Sequence, residues 1–209
     1  MEGLLIAFVW LLNFGISWWN SYAVGSAWTE ARAAGGWPRF MAWMGAIMAA
    51  SGFTWCYLLV IAGGAYALHL IPLMGFKFAM EIGYIMIIPG LLFSGLMITV
   101  DSWARAYREG GVLNYGVAAY NTYAQYHNTA SAIQGMGQAF GDVFDGVKGI
   151  GDSDDPKGAL VLIGLILAVI AAAAGIITTV CLIKKYSASA PLLSYEELQA
   201  RKLAREQGR

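Results

Sequence analysis

Four long apolar stretches, at about residues 4–24, 40–70, 79–100 and 158–183, constrain this chain more than any other feature. About 20 helical residues cross the roughly 30 Å hydrocarbon core of a bilayer, and each stretch has them. Backbone in lipid must satisfy its own hydrogen bonds, so such stretches read as helices. The sequence therefore predicts an all-α integral membrane protein with four transmembrane helices. Three form a transmembrane region over 1–100. An extramembrane loop follows over 101–157, the fourth helix occupies 158–185, and 186–209 is a polar tail.

Composition agrees. Charged residues are 12% of the chain and fall almost entirely between and after the apolar stretches, whereas a soluble domain carries about 25%. The net charge is zero, which argues against a nucleic-acid partner. Cys56 and Cys181 both lie in apolar stretches, where free cysteine behaves as a small hydrophobe. Their spacing builds neither a disulfide framework nor a metal site. Met1-Glu2-Gly3 offers no basic segment before the first apolar run, so that run is expected to stay as a helix and not to be cleaved.

Each stretch carries local signals. The first has Asn13, Ser17, Asn20 and Ser21 on one helical face, with Trp18, Trp19 and Tyr22 suited to the membrane boundary. In the second, Gly45, Ala49, Gly52 and Cys56 form a stripe of small residues; His69, Pro72, Gly75 and Lys77 then make a turn. The third has Glu81 near its start and Pro89-Gly90 in its middle, where proline predicts a kink. Asp155 as cap and Pro156 at the first position predict a sharp start for the fourth. There Gly164, Ala168, Ala171 and Gly175 step by four, three and four, a second small-residue groove. Such grooves let membrane helices approach closely.

In the 101–157 region, Ile133, Met136, Phe140, Val143, Phe144 and Val147 recur at three- and four-residue intervals. The spacing predicts an amphipathic helix over 129–148, its Ile133/Phe140/Val147 face buried on membrane or protein. Its glycines each cost about 1 kcal/mol relative to alanine, so it needs a surface to lie on. In the tail, Ser194-Tyr-Glu-Glu197 is a capping box that predicts a short solvated helix from Tyr195 to about Gln207.

Orientation is contested. Lys184 and Lys185 directly after the fourth stretch favour cytoplasmic termini, but Arg32, Arg39, Arg105 and Arg108 then fall on the opposite side.

The chemistry-bearing positions are few. The intramembrane polar set is Asn13, Ser17, Asn20 and Glu81. A carboxylate in a span marks a functional site by default, yet Glu81 is near enough to the interface to be anchored there by Lys77. The asparagines need partners, and helix–helix hydrogen bonds supply them more often than a water-filled path does. His69 and His127 stand alone, and no nucleophile elbow, phosphate loop, dinucleotide fingerprint or metalloprotease motif is present. No catalytic residue, metal ligand or cofactor is predicted.

The reading is a non-enzymatic polytopic subunit that anchors or scaffolds a larger membrane assembly. Its partners are the lipid bilayer and other membrane subunits or further copies of itself. A small oligomeric channel or transporter is the alternative. The expected location is a cell membrane, a bacterial inner membrane in particular.

Overall fold

The computed structural model describes residues 11–22, 24, 25, 28, 36–151, 155–189 and 200. Among them the fold is all-helical. We label the helices α1 (residues 11–22), α2 (Trp37–Ala67), α3 (Leu73–Glu109), α4 (Val112–Lys148) and α5 (Pro156–Ser189). Three of these, α2, α3 and α5, are long and apolar enough to cross a membrane. Residues 4–10 and 23 of the 4–24 stretch and the 195–207 tail helix lie outside the described residues, apart from helical Ala200.

The helix ends follow from local chemistry. Trp37-Pro38 opens α2, proline costing nothing where backbone donors have no intrahelical partner. The same helix closes on His69, whose φ of 56° turns the chain while Leu70 N–H bonds to Ala65 O and His69 N–H to Tyr66 O. That crossed pair is a Schellman stop. Gly110 and Gly111, at φ 66° and 86°, reverse the chain between α3 and α4, a conformation L side chains avoid. Asp155 caps α5, its Oδ1 accepting from Lys157 N–H at 2.9 Å. Helix α3 runs unbroken through Pro89.

Packing builds a bundle around α2, α3 and α5. One core cluster joins Leu58 and Ala62 of α2, Phe78, Ala79 and Ile82 of α3, and Val161, Ala168 and Ala171 of α5. A second gathers Val24 and Trp28 with Ala42, Ala49 and Phe53 of α2. The contacts Asn13 with Cys56 and Asn20 with Gly52 run in opposite chain directions, so α1 and α2 are antiparallel.

The 101–157 region does not form a separate loop. Its helix starts at Val112, well before Thr129, and lies antiparallel along the length of α3. Contacts pair Lys77 with Asp142, Tyr84 with Gly135, Leu92 with Gln125 and Trp103 with Thr122. The seam on α4 repeats every seventh residue: Ala118, Ala132, Ala139 and Gly146 are buried, with half-buried Gln125 in the same register. The apolar spacing predicts a different face. Ile133, Phe140 and Val147 are exposed on the chain itself, because small residues win the close approach to α3.

Candidate functional site

The small-residue stripes sit at helix crossings. Val161, Gly164, Ala168, Ala171, Gly175 and Thr179 are the buried line along α5. A Cβ on Gly164 would meet Ala79 N at 2.8 Å, and one on Gly175 would meet Thr54 N at 2.7 Å, so backbone touches backbone at both. Leu162, Leu165, Ile166 and Ile170 are exposed. On α2, Ala49 is buried while Gly45 and Gly52 are half-buried. Asn20 lies directly over Gly52, where there is no side chain to obstruct it.

The polar residues of α1 therefore serve its packing. Asn13 Nδ2 donates to Cys56 O at 3.3 Å, and Cys56 Sγ donates to Asn13 O at 3.7 Å. Ser17 is half-buried and its carbonyl accepts from Ser21. Asn13 Oδ1 and Asn20 Nδ2 are buried without a hydrogen-bond partner among the described residues.

Glu81 belongs to a different feature, a polar groove along the α3–α4 flank. Lys77 Nζ stands 2.6 Å from Asp142 Oδ2 and 3.5 Å from Glu81 Oε1. Glu81 Oε2 is buried with no partner among the described residues. These three charges border a cavity of about 540 Å³ that Tyr84, Gln138 and Gly135 also line. A second cavity of about 360 Å³ continues beyond Tyr84, lined by Gln125, Asn128, Ser131 and Met48. Gln125, Asn128, Ser131, Gln138 and Asp142 step along one flank of α4 by three, three, seven and four, so they are a continuous polar strip at helical spacing. Gln125 Nε2 closes its inner end on Leu92 O at 3.0 Å, inside the apolar part of α3.

The strip's chemistry is that of neutral donors and acceptors with charge at one end. It holds no arrangement of base and nucleophile, and among the described residues no three His, Cys, Asp or Glu side chains gather to hold a metal ion. At the opposite end of the α3–α4 pair, Trp37 Nε1 donates to Asp101 Oδ1 at 2.6 Å and Arg105 pairs with Asp101 Oδ2 at 2.8 Å. Trp103, Tyr107 and Tyr115 cluster beside them with ring centres 6.1–6.2 Å apart.

Hydropathy hides the polar strip, because amides and hydroxyls make α4 read as an extramembrane segment. One signal marks it nonetheless. From Gly110 to Gly141 the chain has 32 residues without a single Asp, Glu, Lys or Arg. A soluble surface helix of that length would carry about a quarter charged residues.

No protein-family model, no curated protein and no solved structure matches this chain.

Proposed function

We propose that the protein is a non-enzymatic membrane subunit that builds a larger assembly, with α4 as well as the apolar helices inside the bilayer. The observation that carries this reading is the register of α4 on α3. The apolar stretch 79–100 of α3 runs beside 121–142 of α4, so a bilayer around the one surrounds the other. Keeping 101–157 outside, as the four-span arrangement does, would strip α4 from its seam. Both helices have 37 residues, about 55 Å at 1.5 Å per residue, so each also projects beyond the lipid.

Charge supports the same arrangement. With four crossings, the 13 Lys and Arg residues divide seven to six between the two sides. With α4 as a fifth crossing they divide ten to three, and only Lys77, Lys148 and Lys157 fall on the far side. The positive-inside rule then puts residues 25–39, the α3–α4 turn and the tail after Lys184 in the cytoplasm, with the start of the first apolar stretch on the opposite side. The Asp101/Arg105 cluster and its aromatic neighbours sit at the cytoplasmic interface, where half-wet rings are favoured.

A helix of amides, hydroxyls and phenols does not face lipid alone, because an unpaired amide in hydrocarbon costs several kcal/mol. It faces protein or water, and both mean assembly. The native mass of the protein in nanodiscs tests this: more than one chain per particle is expected, and a stable single chain would defeat it. The polar strip favours one second reading, an oligomeric channel or transporter. Ion flux through liposomes carrying the purified protein alone would favour it over the scaffold.

A further inference from the structure

Part of the outward side of α4 is a surface that lipid covers poorly. On α5 the exposed positions at the same depth are aliphatic, Ile163, Ile166 and Ile170 among them. Helix α4 instead divides into three outward zones. Ile133, Phe140 and Phe144 form an apolar flank suited to lipid. Asn128, Ser131 and Gln138 form the polar flank described above. Between the flanks, opposite the α3 seam, runs Ala130, Gln134, Gly137 and Gly141, spaced by four, three and four. Nothing lies within 4 Å of where a Cβ would stand on Gly137 or Gly141.

We propose that a second copy of this chain covers this strip, α4 against α4. The proposal rests on α4 being inside the bilayer. Three features select a copy of itself. The strip and its polar flank carry no charge before Asp142, so no charged partner is called for. Amides donate and accept in equal measure, so Gln134 and Gln138 can satisfy the same residues across a two-fold axis. Gly137 and Gly141, a glycine pair four residues apart, let two identical backbones approach closely, as small-residue pairs do in membrane helix dimers. The contact gives the outward face of each α4 a counterpart and brings two polar flanks side by side.

Cysteine cross-linking in native membranes tests the proposal, in a full-length chain whose Cys56 and Cys181 are alanine. Gln134→Cys should yield a disulfide-linked dimer on mild oxidation, and Phe144→Cys, on the lipid flank, at least about tenfold less. Gly137→Leu/Gly141→Leu should reduce the Gln134→Cys dimer about tenfold, about 1.4 kcal/mol. Helix content by circular dichroism should stay unchanged, since both glycines face open space. Equal cross-linking at 134 and 144, or none at 134 in folded protein, overturns the self-contact. Aqueous labelling of Gln134→Cys at the rate of Glu109→Cys would show that α4 lies outside the bilayer, and then it is the reading beneath the proposal that fails.

Discussion

His69 holds a φ of 56°, the one positive value on a non-glycine residue among those described. The left-handed conformation costs an L residue about 1 kcal/mol, and only the Schellman bonds around it keep it there. His69→Gly should therefore raise stability by about 1 kcal/mol, read as a higher midpoint in denaturant titration of the detergent-solubilised protein. A lower midpoint would mean that the imidazole itself contributes. Asn20 poses the opposite problem, a polar group set into a helix contact. Gly52 gives it room, and a methyl group there would collide with its amide. Gly52→Ala should separate α1 from α2 at the cost of about 1–3 kcal/mol, the usual penalty for overpacking. Proteolysis of α1 in the variant, with α2–α5 intact, is the expected readout. That asparagine in an apolar run needs company is legible in the sequence. Its neighbour, 32 positions along the chain, is set by the α1–α2 register, which no local pattern encodes.

At the scale of elements, α5 is the most legible. Asp155-Pro156 marks its start, and the spacing of Gly164, Ala168, Ala171 and Gly175 marks one face. Gly164→Leu/Gly175→Leu should disrupt the bundle, because each side chain would have to displace backbone of α2 or α3. Loss of the monodisperse peak in size exclusion is the expected result. Leu162→Ala, at an exposed position, should stay within about 0.5 kcal/mol of the parent. A folded double-leucine variant would remove the backbone contact from the account. Helix α4 is the least legible element. Its apolar period suggests a helix from about residue 129, yet the structured segment begins at Val112. Periodicity fades where alanine, glycine, tyrosine and asparagine replace leucine and isoleucine. Small residues pack by proximity of backbone and leave little trace in hydropathy. The glycine cost expected of an isolated helix is offset by the long seam on α3.

At the scale of the whole molecule, the all-helical architecture follows from apolar length, and so do three of the four expected spans, seen as α2, α3 and α5 among the described residues. The candidate site does not. Its polar strip requires knowing that residues around 80 and 140 meet, and that pairing emerges only when the Gly110-Gly111 reversal folds two long helices together. The central claim is that this pairing carries α4 across the bilayer, which reassigns the basic residues from a seven-to-six division to ten-to-three. Single cysteines at Glu109 and Ile150, at the two ends of α4, test it in intact cells with a membrane-impermeant maleimide. The account predicts that Ile150→Cys is labelled from outside and that Glu109→Cys is labelled only after the membrane is opened. Labelling of both positions from the same side would contradict it.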